Sequence, residues 1–254
     1  MILEKAVPSS TYTGQVGCLF LYGPPGGGKT EFAAGAPKPI WFDFERSTDT
    51  LANSRFPEYR KIPVLRNGTH FKNMQEFITG VKEAVASPDF ETIVIDSVTR
   101  LQRFQMLEYL MVKEGATAKE LNYTKELVNA SRTHYKAEIQ DWGFSTNLLD
   151  ELFGVLDKSG KTIILIGHDI TEKDELTGII HTRFALTPAL AGAVASLVSV
   201  VGYLKAANKP GKGIVRTLTV NPTGKEISKN RLGLLDPVIE EPTWEKLTQL
   251  IKGK

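Results

Sequence analysis

The run Gly23-Pro-Pro-Gly-Gly-Gly-Lys29-Thr30 constrains this chain more than any other feature, because it fits the phosphate-loop pattern G-x-x-x-x-G-K-[ST]. An apolar run at residues 17–22 precedes it and a helix-compatible segment from Glu31 follows it, which gives the order strand, loop, helix. Glycines let backbone N–H groups turn inward around phosphate oxygens where side chains would collide. A glycine-rich turn before a helix is the alternative, but such a turn does not require every fixed position. The sequence therefore predicts a nucleoside triphosphate site.

We expect the nucleotide to contact every residue of this loop and the residue after it: Gly23, Pro24, Pro25, Gly26, Gly27, Gly28, Lys29, Thr30 and Glu31. Lys29 is expected to reach the β and γ phosphates, and the Thr30 hydroxyl to bind Mg²⁺. Asp96 ends the apolar strand 93–96 and fits the second nucleotide motif, in which a carboxylate holds Mg²⁺ through water. Many apolar strands end in Asp, so this assignment depends on the glycine loop. The predicted cofactors are ATP and Mg²⁺.

Two further strand ends carry candidate catalytic residues. Hydrolysis needs a group that orients or deprotonates the attacking water, and Glu45 follows the apolar strand 39–44 at a suitable position. A surface acid paired with Arg46 is the alternative, and Asp43 is a weaker candidate because it lies two residues deeper on the same face. His168 ends strand 162–168, so it is expected beside Asp96 or the loop, where it would sense the γ-phosphate.

A lone histidine is usually structural, and His168 is not expected to bind a metal. His70, His134 and His181 show no metal-ligand spacing with it.

Strands that alternate with helices predict a three-layer α/β fold with a mainly parallel sheet and a C-terminal antiparallel extension, in one domain, 1–254. The predicted parallel strands cover residues 17–22, 39–44, 60–65, 92–96 and 162–168. Predicted helices cover 71–86, 98–135 with a break near Gly115, and 142–156. Strands at 179–186, 197–205 and 214–220 are expected to extend the same sheet, and Thr243 to cap a closing helix that ends at Ile251.

Composition excludes some classes of protein and partner but does not identify a partner. The net charge is only +2, and the single cysteine, Cys18, excludes a disulfide framework. Residues 1–8 lack a signal pattern and no apolar run is long enough to span a bilayer, so we expect a cytoplasmic protein without a membrane partner. Charge is nevertheless uneven, because residues 205–231 hold one acid, Glu226, and seven bases: Lys205, Lys209, Lys212, Arg216, Lys225, Lys229 and Arg231. This segment is a candidate anion-facing surface, although a solvated hairpin explains residues 208–213 equally well.

Together these residues resemble the RecA-like recombination ATPases, and are similar to the compact phage-encoded single-strand annealing ATPases of the Sak group and to bacterial RadA-type proteins. Four features in the family's order carry the resemblance over roughly residues 14–235: the phosphate loop, Phe42-Asp-Phe-Glu45, the strand 93–96, and Lys229-Asn-Arg-Leu-Gly233. Asp141-Trp-Gly143 also looks like a recurring feature of the phage group. The run Lys229-Asn-Arg-Leu-Gly233 is similar to the RadA-type signature Lys-Asn-Arg-Phe-Gly.

The resemblance implies a RecA-like core that hydrolyses ATP with Mg²⁺, with Glu45 as the catalytic glutamate. It also implies self-association, with Lys229 and Arg231 reaching the neighbouring subunit's nucleotide. Single-stranded DNA and a single-strand DNA-binding protein are the other partners that it implies. If the protein is phage-encoded, its place is the bacterial host cytoplasm. His168 stands where the recombinases often carry Gln, and their extra DNA-recognition and polymerising domains are missing. We therefore expect annealing or strand protection rather than strand invasion.

Family DNA contacts come from loops at the carboxyl edge of the sheet. The candidates here are residues 100–136, with Tyr109, Tyr123 and Tyr135 able to stack on bases, and the more acidic stretch 169–183. A solvated helical hairpin explains the first stretch equally well.

Three rival functions are weighed against this one. An ATP-gated loading or scaffold protein would share every nucleotide residue and differ only in its partner. A small P-loop kinase would need an arginine-rich lid, for which the middle of the chain offers only Arg100, Arg103 and Arg132. A GTPase is disfavoured because Asn208-Lys-Pro-Gly211 lacks the carboxylate that grips guanine.

Overall fold

The computed structural model describes residues 17–113, 137–173, 175, 178, 180–233 and 236–252 of the chain. The strands in these residues are β1 (Cys18–Tyr22), β2 (Pro39–Asp43), β3 (Val64–Arg66), β4 (Thr92–Asp96), β5 (Thr162–Gly167), β6 (Asp169–Lys173), β7 (Ile180–Phe184), β8 (Val200–Lys209), β9 (Gly213–Thr219), β10 (Lys229–Asn230) and β11 (Val238–Glu240). The helices are α1 (Lys29–Ala34), α2 (Asp49–Ala52), α3 (Met74–Ala86), α4 (Val98–Lys113), α5 (Ile139–Asp157), α6 (Pro188–Leu197) and α7 (Trp244–Lys252).

A parallel sheet brings the predicted site residues to one edge. Among the described residues, the main sheet has the order β11-β9-β8-β1-β5-β4-β2-β3, and β10 pairs with β8. All neighbours from β8 to β3 are parallel. Tyr22 pairs with Gly167, and Asp43 pairs with Asp96. The phosphate loop, His168, Asp96 and Glu45 therefore follow or end strands at the same carboxyl edge.

Helices cover both faces of the sheet, as predicted for a three-layer fold. Strand β1 divides its side chains by alternation. Phe20 and Tyr22 pack in the cluster with α3 to α6, whereas Leu19 and Leu21 pack with α1 and α7 on the other face. Both faces of β1 are apolar because both are covered, which is typical of a parallel strand inside an α/β protein.

The predicted antiparallel extension is confirmed, but one of its strands is wrong. Strands β9 and β10 pair antiparallel with β8, and β11 pairs antiparallel with β9. The described part of the predicted strand 179–186, residues 180–186, does not join this sheet, because β7 pairs with β6 in a separate hairpin that directly follows β5. Strand β6 has no buried residue and β7 buries only Phe184, so this hairpin stands away from the core. Strand β8 also differs from the prediction, because it is parallel to β1.

Most predicted helices are confirmed. Helix α3 matches the predicted segment, α5 begins slightly earlier than expected, and the Thr243 hydroxyl accepts a hydrogen bond from the Lys246 N–H at 3.1 Å, as an N-cap does. The predicted strand at 60–65 is reduced to β3, with a 3₁₀ turn at Tyr59–Lys61 before it. Residues 114–136, which include Tyr123, Arg132, His134 and Tyr135, lie outside the described residues.

Cys18 is buried, and burial raises the pKa of its thiol to about 12. In the part of the chain that the structure describes, every helix is too short or too polar to cross a bilayer.

Candidate active site at the sheet edge

The phosphate loop packs directly against the backbone of β8. A Cβ atom on Gly23 would lie 2.1 Å from the Leu204 carbonyl oxygen, and one on Gly27 would lie 2.7 Å from the same oxygen. Gly23 and Gly28 also have φ angles of 148° and 96°, which side chains rarely adopt. Pro25 and Gly26 form the exposed tip of the loop. The glycines therefore allow both the curvature of the loop and its contact with the sheet.

Lys29 lies inside this loop. Its Nζ donates hydrogen bonds to the carbonyl oxygens of Gly23, at 2.7 Å, and Pro24, at 2.9 Å. Burial lowers the pKa of Lys29, while the nearby charges of Asp96, Asp169 and Glu45 act in the opposite direction. The ammonium group is thus held among loop carbonyls and facing carboxylates, in the position from which it could bind phosphate oxygens.

Thr30 and Asp96 meet as predicted. The Thr30 hydroxyl lies 3.3 Å from Asp96 Oδ2, and the Ser47 hydroxyl donates to the same oxygen at 2.6 Å. Asp96 is 3% exposed, and burial, with the charges of Glu45 and Asp43, raises its pKa to about 6 despite these hydrogen bonds. Hydroxyl and carboxylate oxygens are the donors that Mg²⁺ prefers, and a cation would offset the repulsion among these acids. The residues present therefore fit Mg²⁺, which Thr30 and Asp96 would hold.

Glu45 is held by three groups at the same edge. His168 Nε2 lies 2.7 Å from Glu45 Oε1 and 2.8 Å from Oε2, and the Ser97 hydroxyl donates to Oε1. Arg100 Nε is 3.6 Å from that oxygen. Burial raises the pKa of Glu45, but the hydrogen bonds from His168 and Ser97 and the charges of His168 and Arg100 outweigh it, so the pKa is lowered overall.

Glu45 does not pair with Arg46, the alternative partner weighed from the sequence. Its partners among the described residues lie on β5, α4 and the turn after β4. His168 has its place between β1 and β4, as predicted, and contacts Glu45.

Asp43, the weaker candidate for the base, is bound by the turn that follows β2. It is fully buried and accepts hydrogen bonds from the backbone N–H groups of Glu45, Ser47 and Thr48, and from the Thr48 hydroxyl. Arg66 Nη2 lies 3.2 Å from its Oδ2. These contacts fix the turn that carries Glu45, because three N–H groups of the turn point at one carboxylate.

Lys229 and Arg231 lie at the other end of β1. Strand β10 pairs with the first residues of β8, and the Arg231 N–H donates to the Ser199 carbonyl, next to Cys18. Cys18 and the loop are separated by the length of β1, about 16 Å at 3.3 Å per residue. Lys229 Nζ donates to the Ala195 and Ser196 carbonyls at the end of α6, and burial, with the charge of Arg231, lowers its pKa. Neither side chain reaches the loop of its own subunit.

The basic segment 205–231 uses much of its charge internally. Lys205 pairs with Glu226, Lys209 and Lys212 pair with Glu240, and Arg216 lies 3.8 Å from Glu31. Lys225 and Arg231 are exposed, with no side-chain partner in the described ranges. The expected anion-facing surface is therefore smaller than the sequence indicates.

The two stretches considered for DNA contact differ in the structure. Arg100 and Arg103 are exposed on the first turns of α4, next to Glu45 at the carboxyl edge. In the second stretch, Arg183 is paired with Glu172 across the β6–β7 hairpin.

Several residues of the site were not predicted. Ser47, Ser97 and Asp169 each follow a strand end by a few residues, so their closeness to Asp43, Asp96 and His168 was a usable signal. Arg216 gave a different signal, as a charged residue on the apolar face of Gly213–Thr219. Among the described residues, there is no cluster of three or more histidine, cysteine or acidic side chains that could form another metal site.

The glycine loop, the hydroxyl–carboxylate pair and the glutamate at the carboxyl edge define a P-loop protein of the α/β class, with a mainly parallel sheet and an antiparallel C-terminal extension. A family model described as an AAA domain (AAA_24) matches residues 17–232, and the chain belongs to this family.

Two solved structures are similar in fold. The KaiC-like protein PH0186 of Pyrococcus horikoshii OT3 is 18% identical with a TM-score of 0.45, over 81% of this chain and 79% of that one. The flagellar accessory protein FlaH of Methanocaldococcus jannaschii is 10% identical with a TM-score of 0.46, over 91% and 88%. Identities this low carry no information on ligand or partner. No significant sequence match was found among curated proteins.

Proposed function

We propose that this protein is a Mg²⁺-dependent ATPase whose subunits assemble with nucleotide between them, and that it binds single-stranded DNA in phage-type recombination, annealing or repair. The observation that carries the ATPase proposal is the placement of Glu45. Its carboxylate, 17% exposed, is fixed by His168 and Ser97 on the strand next to Asp96. A binding site without catalysis has no need for a carboxylate kept ionised beside the metal residues.

The roles follow from these positions. When bound, Mg²⁺ and ATP supply the phosphoanhydride and the charge that stabilises the leaving group. Lys29 holds phosphate oxygens, Thr30 and Asp96 hold the metal, and Glu45 orients the attacking water and accepts its proton. His168 keeps Glu45 in place, and in this position it can also respond to the γ-phosphate.

The position of Arg231 supports action between subunits. It is exposed at the amino ends of β1 and β8, whereas its own loop follows the carboxyl end of β1, so it can meet a nucleotide only on another molecule. Lys229 donates hydrogen bonds to carbonyl groups at the end of α6 in its own chain. In an assembly it would lie next to Arg231 at the same interface. The protein would then hydrolyse ATP only when assembled.

The DNA part of the proposal rests on Arg100 and Arg103. Both are exposed on α4 beside the catalytic edge, where they could bind a phosphate backbone. Because Arg100 also contacts Glu45, DNA bound there could change the electrostatic environment of Glu45. We expect the protein in the cytoplasm, of the bacterial host if it is phage-encoded, with a single-strand DNA-binding protein as a possible further partner.

The test is ATP turnover measured over a range of protein concentrations, with and without single-stranded DNA. We expect the turnover per subunit to rise with concentration and with DNA. Turnover equal at all concentrations and indifferent to DNA would contradict assembly and DNA binding. No turnover under any of these conditions would contradict the ATPase.

An ATP-gated loading or scaffold protein is the second candidate, and the internal pairing of segment 205–231 favours it, because little of that charge is left for DNA. A pull-down on single-stranded DNA with and without ATP separates the two. Binding that weakens steeply with salt supports phosphate contact, and the absence of binding supports the scaffold.

A further inference from the structure

Three alternate residues of strand β9 form a row beside the phosphate loop. The row begins in the core and ends in solvent. Ile214, Arg216 and Leu218 share one face, since alternate residues of a strand point the same way. Leu218 is buried in the cluster with α1, whereas Ile214 is 71% exposed. Arg216 lies between them, so its face of the strand is the one that carries α1 and the loop.

The Arg216 side chain lies against the loop itself. A Cβ atom on Gly28 would be 2.8 Å from both Cδ and Nε of Arg216. The Nε atom is buried and has no hydrogen-bond partner among the described residues, while Nη2 is 3.8 Å from Glu31 Oε2. A buried donor without a partner is costly, so this one is expected to serve a ligand.

The backbone of Arg216 is firmly placed. Its N–H donates to Glu241 Oε1 at 2.8 Å, and its carbonyl accepts from the Glu241 N–H at 2.8 Å. With the main chain fixed at both groups, the guanidinium can adjust only by rotation of its own side chain. It therefore stays within reach of Gly28.

The order of strands in the sheet indicates which part of a bound nucleotide Arg216 can contact. The metal residues Thr30 and Asp96 and the base Glu45 lie towards β5, β4 and β2, on one side of β1. Arg216 comes from β9, on the other side of β1. The terminal phosphates belong to the first side, so the nucleoside end of the molecule is directed to the second.

We propose that β9 holds the nucleoside end of the nucleotide within the same subunit. Arg216 donates from Nε to the α-phosphate, and Ile214, about 7 Å further along the strand, packs against the base. This inference rests on the proposed nucleotide site at the loop. It explains both the unpaired Nε atom and the exposure of a large apolar side chain beside the loop.

The experiment measures affinity by calorimetry for ATP and for inorganic tripolyphosphate, each with Mg²⁺. We expect Arg216→Ala to weaken binding of both ligands about 10- to 100-fold, which is typical of a lost charge-assisted hydrogen bond. Ile214→Ser should weaken ATP about threefold to tenfold and leave tripolyphosphate unchanged, since only ATP has a base. Lys212→Ala is the matched control on the same hairpin, because Lys212 only faces Glu240 at 3.8 Å, and it should bind as the wild type does.

Lys29→Ala separates this inference from the proposed function. If Lys29→Ala abolishes binding but Arg216→Ala stays within twofold of the wild type, Arg216 is only structural and the inference is overturned. If the wild type binds no ATP, the proposed function fails first. Thermal unfolding checks that each variant folds. Should Arg216→Ala not fold, Arg216→Lys keeps the charge and the stem but loses Nε, and wild-type affinity in that variant would equally overturn the inference.

Discussion

His168 Nε2 lies 2.7 Å and 2.8 Å from the two carboxylate oxygens of Glu45, although the residues are 123 positions apart in the chain. The contact exists because β5 lies next to β4, and β4 lies next to β2, so that two distant strand ends share one edge. It orients the carboxylate and favours its ionised form. Both effects are what a residue that must accept a proton from water requires.

Replacing Glu45 by Gln should remove hydrolysis and keep binding. The amide occupies the same space but cannot accept the proton, so we expect ATP turnover to fall about 10²- to 10⁴-fold. ATP affinity should stay within a few-fold of the wild type, because Lys29, Thr30 and Asp96 are intact. Phosphate release and calorimetry measure the two quantities. Normal turnover in Glu45→Gln would remove the assigned base.

Removing the imidazole should change the pH dependence. The hydrogen bond and charge of His168 help to lower the pKa of Glu45, so His168→Ala raises that pKa. Activity requires the ionised form and is lost as pH falls through the pKa, so the acid limb of the kcat/KM profile should move to higher pH. His168→Gln, which can still donate a hydrogen bond, should shift it less. An acid limb that does not move in His168→Ala would contradict this account.

Two glycines of the loop should respond differently to alanine. Gly23→Ala places Cβ 2.1 Å from a backbone oxygen that cannot move easily, so we expect loss of ATP binding and marked loss of stability. Gly26 has a φ of 76° with no atom within 4 Å of a new Cβ. Gly26→Ala should therefore cost about 1–2 kcal/mol, the strain of a left-handed residue. Urea unfolding and ATP titration compare the variants, and equal effects would argue against the contact with β8.

Asp43 should matter to stability far more than its neighbour in the same ion-pair group. Asp43→Ala leaves Arg66 and the turn N–H groups without their buried acceptor, so we expect a loss of about 3–5 kcal/mol in the free energy of unfolding. Asp49 also pairs with Arg66, at 2.7 Å, but its side chain is 63% exposed. Asp49→Ala should cost at most about 1 kcal/mol. A small effect of Asp43→Ala would show that the turn is held by other contacts.

Mixing two inactive variants should test action between subunits. Arg231→Ala keeps a complete loop and base, whereas Glu45→Gln keeps a complete Arg231. We expect each alone to be nearly inactive and the mixture to recover part of the wild-type turnover, because some interfaces then combine the two intact parts. No recovery at any mixing ratio, with association confirmed by light scattering, would mean that Arg231 does not complete a neighbour's site. Lys229 is less suitable, since Lys229→Ala also removes the contact with α6.

Much of the site could be predicted because it depends on strand ends. Gly23, Asp96, Glu45 and His168 each follow or end an apolar run, and parallel strands bring such positions together whatever their order. Strands β7 and β3 depart from the prediction because they have little burial, so the apolar pattern does not determine their bounds or pairing partner. The buried strand β8 departs in its direction, because an apolar run does not encode whether a strand is parallel or antiparallel to its neighbour.

What could not be predicted depends on sheet order and on side-chain contacts across it. Arg216 reaches the loop only because β8 lies between β1 and β9, which local sequence does not encode. Lys209, Lys212 and Arg216 looked free because their partners, Glu240 and Glu31, are outside segment 205–231. Position makes Asp43 only a weaker candidate for the base, and the hydrogen bonds that it accepts from the turn folded back over it could not be predicted.

Strand β8 has a mechanical consequence for an assembled protein. At the middle of β8, the Leu204 carbonyl lies against the loop glycines, and the first residues of β8 pair with β10, which Arg231 directly follows. Hydrogen bonds to β1 on one side and β9 on the other make it move as a single piece. In the proposed assembly, a displacement of the loop on ATP binding or phosphate release would be transmitted through β8 to Arg231 at the interface, and hydrolysis in one subunit would then affect the site of the next.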